Sequence, residues 1–393
     1  MSFLILGDPH LGGSLSQGKQ IPGTGLNSRV IDQVNLLDWT LNTAIENDVY
    51  NIFVTGDVFE DPKPSTNLIV LFLAWLKKCQ VHDINVHIIH GNHDVLRAGH
   101  IYSSPLDIIE EAELPNVHVY KQFQTIYFDT TAITLAPFRD RKSLGESSNQ
   151  EAVNTILNQI HYELAEIPPT YNKILIGHLA IEGSIFVGNE VDDIANELFL
   201  PIEFLKNYNY VWMGHVHKPQ VHNQFPHIAH IGSMDISDFG ESDHKKHVII
   251  FDPLQDHFKS INIPTRELQK IIINIPSEIE DTTGYVLNEL QKQSFNKSVV
   301  KVEINTESAE SAPVNKGEVE KMLIKHGAFG VNAIAESKKT HLIKKDQIQM
   351  DSKIDVRSAI KSFSDNFVEK DLQSEFLELA NNILTEYKQN ETI

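Results

Sequence analysis

Apolar positions in this chain follow two rhythms. Short unbroken apolar runs, SFLILG from Ser2, NIFVTG from Asn51 and NVHIIHG from Asn85, read as buried strands. Between the first two, Val30, Val34, Leu37, Leu41 and Ile45 repeat at three- and four-residue spacing, which predicts a helix from about Ser28 to Asn47. A second helix is expected near residues 66 to 79. Strand, helix, strand in this order is the pattern of a layered α/β fold. From Val117 to Pro137 the pattern is strand-like without helices, and a helix near residues 149 to 166 follows. KILIGH, YNYVWMGHVHK, HIAHIGS, HVIIFD and FKSINI then supply further short strands. Two sheets with flanking helices are the simplest packing for so many strands. The Gly/Ser-rich loop from Leu11 to Asn27 is long for a plain connector, and its length favours a place at a functional site.

Around Ile263 to Arg266 the character changes. Residues 267 to about 345 combine strand-like IIINI and VVKVEI with helix-like TTGYVLNELQKQ and GEVEKMLIKHG, around a polar spacer, NTESAESAP. From about Asp351, RSAIKSFSDNFV and LQSEFLELANNILTEY place apolar residues at helical spacing. Such a pair has an apolar face and little chain left to cover it, so it packs back or binds a partner. The expected organisation is a core over residues 1–265, a small α+β cap over 266–345, and a linker with a helical pair over 346–393.

Composition narrows the classes. With 41% hydrophobic and 22% charged residues in 393, the chain is an ordinary globular one, too long for one typical domain. No apolar run approaches the length that crosses a bilayer, so a soluble, cytoplasmic protein with no membrane partner is expected. Cys79 stands alone, which rules out intramolecular disulfides and cysteine-rich zinc modules. A net charge of -20 argues against a protein that coats nucleic acid through its overall field. It argues less against an enzyme that meets phosphates through bound cations.

Five pieces share one design, an apolar strand ending in polar, metal-competent residues. They are LILGDPH (Asp8, His10), IFVTGD (Asp57), IIHGNHD (Asn92, His93, Asp94), ILIGH (His178) and VWMGHVH (His215, His217). Glycine recurs immediately before the first polar residue, where a missing side chain lets backbone and ligand approach closely. In α/β folds the carboxyl ends of neighbouring strands converge on one crevice, so these ends predict a single site. Carboxylate, imidazole and amide without thiolate suit Mn²⁺, Fe²⁺ or Zn²⁺. One ion takes roughly four to six ligands. Asp8, His10, Asp57, Asn92, His178, His215 and His217 are too many for one ion, whereas two ions sharing Asp57 use them all. A two-metal centre suits hydrolysis of a phosphate ester. His93 adjoins a metal ligand, and imidazole donates a proton near neutral pH, which makes it the candidate catalytic acid.

The pattern D-x-H, G-D, G-N-H-D, G-H and G-H-x-H, present in order, resembles the calcineurin-like metallophosphoesterase superfamily. The resemblance implies a two-sheet αββα core, with Asp8, His10, Asp57 and His217 on one ion, Asp57, Asn92, His178 and His215 on the other, and His93 at the leaving group. GDVFEDPKPS, GHLAIEGS, YVWMGHVHKPQ and IGSMDISDFGESDHKKHVIIFD are similar to the SbcD-type nucleases of DNA repair and recombination. That similarity implies a manganese-dependent exonuclease on double-stranded DNA with endonuclease activity near ends or on single strands. It further implies a DNA-binding cap, a homodimer, and a C-terminal helical pair docked on an SMC-like ATPase. Three residues past Asp57, several such nucleases have a histidine that touches the phosphate, whereas others have an acid; here it is Glu60, and an ionised carboxylate cannot donate a proton.

Each of these residues also has a plainer reading. Singly, any of the seven ligands is an ordinary strand-end residue; together they point to a metal site. Asp94 is expected to brace its loop by hydrogen bonds. His82, His87, His90, His118, His161, His222, His227 and His230 lack such a setting and read as surface or packed residues. The rival functions are a metallophosphoesterase acting on nucleotides, cyclic nucleotides or phosphoproteins, and a non-catalytic scaffold.

Overall fold

The structure, a computed structural model, describes residues 2–98, 101–187, 197–222, 224–307 and 311–338 and a few positions beyond 363. Contacts group Met1–Lys338 as one compact unit and Lys339–Ile393 as another. The helical pair expected over 346–393 lies outside the described residues. Among those residues no helix is long and apolar enough to cross a membrane.

Two six-stranded sheets form the centre. In the first, Ser2–Leu6, Val49–Val54, Asn85–Ile89 and Val117–Tyr120 run parallel, and His247–Asp252 and His257–Asn262 extend one edge antiparallel. In the second, Thr131–Ala136, Asn172–Gly177, Tyr210–Met213 and Phe225–His230 are parallel, with Gln124–Phe128 and Gln220–His222 antiparallel at the edges.

The period of two along each strand sorts side chains into layers. Leu4, Leu6, Ile52 and Val54 pack outward against helices Ser28–Glu46 and Thr66–Val81. Phe3, Ile5 and Phe53 point the other way, meeting Ile133, Leu135, Ile174, Ile176 and Trp212 of the second sheet. Ala132, Leu175, Val211 and Met213 leave the far face of that sheet for Ile156 and Ile160 on helix Asn149–Glu166. The result is the αββα sandwich expected from the strand count, with the central strands apolar on both faces because both are covered, while edge strands such as His257–Asn262 stay exposed.

The helices start where their caps dictate. Asn27 accepts from the Arg29 amide (2.9 Å) to open Ser28–Glu46, and Ser148 with Glu151 forms a capping box at the start of Asn149–Glu166. The Trp75 indole donates to Leu37 O (2.8 Å), tying the two helices of the first layer together.

Beyond the core, Leu268–Ile275, Val299–Thr306 and Gly330–Lys338 form a parallel sheet. With helices Thr282–Gln291 and Lys316–Lys325 it encloses a separate hydrophobic cluster that includes Val286, Leu290, Val302, Ile304 and Leu323. The third strand of this sheet is absent from the sequence reading. GVNAIAESK carries small and polar residues and is mostly half-buried, so it offers little hydrophobic contrast.

Candidate metal centre

The five polar strand ends meet at one edge of the sandwich, three from the first sheet and two from the second. Hydrogen bonds continue the parallel ladder past the strand ends and fix the loops. The His10 amide donates to Asp57 O (2.9 Å), Leu11 N to Val58 O (2.9 Å), and Gly214 N to Gly177 O (2.9 Å). His10, Asp57 and His215 all adopt left-handed backbone, with φ of 46°, 46° and 76°. Such conformations cost non-glycine residues roughly 1–3 kcal/mol each and persist where surrounding structure imposes them, often at functional sites. Two glycines are required by the close packing here. A Cβ on Gly91 would stand 2.1 Å from Asp57 Oδ1, and one on Gly214 would stand 2.2 Å from Asp8 Oδ1.

Hydrogen bonding fixes which imidazole nitrogens face the centre. His178 Nδ1 donates to Thr55 O (2.9 Å), since a carbonyl only accepts. Its Nε2 then faces two acceptors, Asn92 Oδ1 at 2.8 Å and Asp57 Oδ2 at 3.1 Å. His215 places Nε2 2.9 Å from the Glu197 carboxylate, and its Nδ1 also meets Asn92 Oδ1, at 2.9 Å. On the other side, His10 Nδ1 lies 2.9 Å from Glu60 Oε2, and His217 Nδ1 lies 3.3 Å from Glu241 Oε1. The Nε2 atoms of His10 and His217 then confront each other at 2.9 Å, with Asp57 Oδ2 3.6 Å from that of His10.

Lone pairs crowded against lone pairs in a buried site require positive charge between them, supplied by protons or by cations. The donor atoms fit metal ions on that ground. Asp8, His10 and His217 offer atoms within 4.8 Å of one another, as do Asp8, Asp57 and His178. Asp8 is held by Thr55 Oγ1 (2.8 Å) and the His215 amide (2.7 Å).

Charge follows the same logic. Burial pushes the Asp57 carboxyl up, yet the charge and hydrogen bond of His178 hold it well below the usual carboxylate range. Burial pushes His178 down, while Asp57 and Asp8 raise it well above the usual imidazole range. His10, pushed down by burial, is raised to about 9 by the Glu60 carboxylate beside its Nδ1 and the charge of Asp57. Asp94 accepts from the amides of Val58 (3.0 Å) and Gly91 (3.0 Å), joining the loops that carry Asp57 and Asn92. Burial and the charge of Asp57 raise it to about 7. It braces the loops, as the sequence reading expects.

His93 sits beside this cluster. Its amide donates to Asp57 Oδ1 (2.8 Å), and Nδ1 donates to Glu60 O (2.6 Å), which leaves Nε2 as the nitrogen able to exchange a proton. Glu60 therefore orients two histidines, His10 through its carboxylate and His93 through its carbonyl. All seven proposed ligands and His93 are gathered in one place. Of the histidines set aside, His87 is buried between Tyr120 Oη (2.8 Å) and Asn51 Oδ1 (3.0 Å), and His230 is buried with Nδ1 on Gly214 O (3.0 Å).

Sequence reasoning missed the supporting residues Glu197, Glu241, Lys246 and Thr55. Lys246 is fully buried and donates to Glu241 Oε2 (2.6 Å), Ser233 Oγ (2.7 Å) and His217 O (2.8 Å). Burial opposes ionisation of Glu241, but His217 and Lys246 hold its carboxyl far below the usual range. Lys246→Met strands that carboxylate, so a stability loss of about 3–5 kcal/mol is expected by urea unfolding. A loss below about 1 kcal/mol would show that the pair is not structural.

A cleft of about 1250 Å³ opens over the centre. His10, Asp57, Asn92, His93, His215 and His217 line it, together with residues 14–17 of the long loop, Arg139, and Lys270 and Lys301 of the small sheet.

Two facing sheets with aspartates and histidines gathered at their strand ends define a metal-dependent phosphoester hydrolase. The calcineurin-like phosphoesterase family matches residues 1–219, more than half of the chain, and the chain belongs to that family. The family's site is dinuclear, and the Asp and His groups described above supply donors of that kind. The chain is similar to the SbcD component of the nuclease SbcCD of Escherichia coli, 21% identical over 270 residues, which cover 62% of this chain and 66% of that protein. It is also similar to Exonuclease subunit 1 of Enterobacteria phage T4, 26% identical over 219 residues and 55% of each chain. The matches thus span just under two thirds of the first relative and about half of the second. A dimetal phosphatase of Danio rerio aligns over 67% of this chain and 99% of its own, at 10% identity and a TM-score of 0.38.

Proposed function

We propose that this chain is the nuclease subunit of a DNA repair and recombination complex, hydrolysing phosphodiesters with two divalent ions, manganese by preference. The observation that carries the reading is the double confrontation of lone pairs around Asp57, one on the His178–Asn92 side and one on the His10–His217 side. Asp8, His10, Asp57 and His217 would hold one ion, and Asp57, Asn92, His178 and His215 the other. When bound, the ions supply Lewis acidity to the phosphoryl group and lower the pKa of water. As the water oxygen forms its bond to phosphorus, the bond from phosphorus to the leaving sugar oxygen breaks, and His93 gives that oxygen a proton. Glu60 O holds the ring for this transfer.

DNA as substrate is supported by the nuclease relatives. The cleft sets Arg139, Lys270 and Lys301 beside the carboxylates of Asp57, Glu60, Asp140, Glu197, Asp238 and Glu241, and both lysines pair with Glu303, so phosphate contact there falls chiefly to cations held by the carboxylates. Double-strand exonuclease and single-strand endonuclease activities belong to this proposal. So do a core over residues 1–265, a DNA-binding cap over 266–345, a helical pair within 346–393 for an SMC-like ATPase, a homodimer and a cytoplasmic location. With Mn²⁺, degradation of linear duplex DNA is expected to exceed hydrolysis of a cyclic nucleotide by on the order of a hundredfold in kcat/KM. Turnover of the cyclic nucleotide alone would instead favour a small-molecule phosphodiesterase.

A further inference from the structure

A charged junction ties the small sheet to the core. Arg266, at the point where the chain leaves the core, donates from Nε (2.7 Å) and Nη2 (2.6 Å) to the two carboxylate oxygens of Asp32 on helix Ser28–Glu46. Its Nη1 donates to Lys297 O (2.9 Å), and the guanidinium lies 3.9 Å from the centre of the Phe329 ring. One side chain thus grips the core by a bidentate fork and the cap by a hydrogen bond and a stacked face, a combination that lysine cannot reproduce.

The junction continues inward. Asp32 also accepts from Arg29 Nη1 (3.0 Å), and the fully buried Arg29 donates from Nη2 to Asp235 Oδ2 (2.6 Å) and Ile236 O (3.0 Å). The next residue, Ser237, accepts through its carbonyl from Ser14 (2.8 Å) and Gln17 (2.6 Å) on the cleft wall. Ser233 joins Asp235 O (2.8 Å) to Lys246, and Lys246 joins Glu241 and the candidate ligand His217. The cap is therefore anchored on the same hydrogen-bonded series that positions one wall of the cleft. Lys270 and Lys301, which line that cleft from the cap side, are placed by whatever holds the cap.

We infer that Arg266 is a positioning residue. It holds the cap sheet over the cleft at the spacing a long phosphodiester polymer needs, and reaction at a small diester does not depend on it. Only the identity of the polymer rests on the proposed nuclease reading. Cysteines replacing the exposed Tyr162 in the core and the exposed Ile324 in the cap accept spin labels, while Cys79 is buried.

In full-length protein the distance distribution between the labels is expected to be narrow, to broaden in Arg266→Ala, and to broaden less in Arg266→Lys, which keeps the charge but not the fork. Both variants should hydrolyse bis(p-nitrophenyl) phosphate with Mn²⁺ at rates within about twofold of the parent, and Arg266→Ala should lose about tenfold to a hundredfold on linear duplex DNA, as misplaced binding groups do. Unchanged distances in both variants, or equal losses on the two substrates, would overturn the inference. If the parent cleaves the small diester but no DNA, the nuclease reading falls, and the distances still decide whether Arg266 holds the cap.

Discussion

Asp57→Ala is expected to lose phosphodiester hydrolysis by on the order of a thousandfold or more, and to hold fewer than one ion per chain where the parent holds about two. The reason is its position between two groups of donors. Asp57 Oδ2 lies 3.1 Å from His178 Nε2 and 3.6 Å from His10 Nε2, so it faces both lobes of the centre. It is also the group best held as an anion there, because His178, His93 and His10 stabilise its charge against burial. Alanine removes the negative charge shared by both lobes and leaves imidazole nitrogens facing one another. Asp57→Asn separates charge from shape. It keeps an oxygen for the His93 amide, and asparagine tolerates the left-handed backbone at φ 46° better than alanine does. Asparagine should therefore preserve the fold while also losing the ions. Metal content after equilibration with Mn²⁺ and gel filtration checks both variants; two ions retained by Asp57→Ala would remove the shared-ligand assignment.

The residues gathered at the centre were legible in the sequence because each lies at or just beyond the end of an apolar run that closes on a glycine. The physical cause of that spelling is visible at Gly91 and Gly214, where any side chain would collide with Asp57 or Asp8. Helix Ser28–Glu46 was legible because Val30, Val34, Leu37, Leu41 and Ile45 repeat at helical spacing; Val30, Leu37 and Leu41 are buried, whereas Ile45 lies at the margin of that face and is exposed. The residues that support the ligands were not. Glu241 meets His217 across 24 positions and Glu197 reaches His215 from a loop, so no local spacing marks either as a partner. Arg29 and Asp32 look like an ordinary exposed i, i+3 ion pair, yet Arg29 is fully buried and Asp32 is shared with Arg266 over 234 positions. Glu60, read as a departure from the family pattern, is explained only by tertiary structure, where its carboxylate turns the buried ring of His10. Local patterns report burial and strand ends. They do not report which distant charge compensates a buried one.

The second large effect concerns proton transfer rather than metal binding. His93→Ala is expected to keep both ions and to lose about a hundredfold to ten-thousandfold in kcat, the range of general acid catalysis. The ring is not placed among the nitrogens that confront Asp57 Oδ2. Its Nδ1 is committed to Glu60 O, and only its backbone amide touches Asp57, so alanine leaves that hydrogen bond in place. The leaving group provides the discriminating measurement. A sugar oxygen departs as a strong base and needs a proton, whereas p-nitrophenolate departs without one. The loss in His93→Ala should therefore be large for a DNA or alkyl phosphodiester and shrink to about tenfold or less for bis(p-nitrophenyl) phosphate. A loss of equal size on both would mean that His93 orients the substrate or the Asp57 loop instead of donating the proton, and full activity on both would take it out of the reaction.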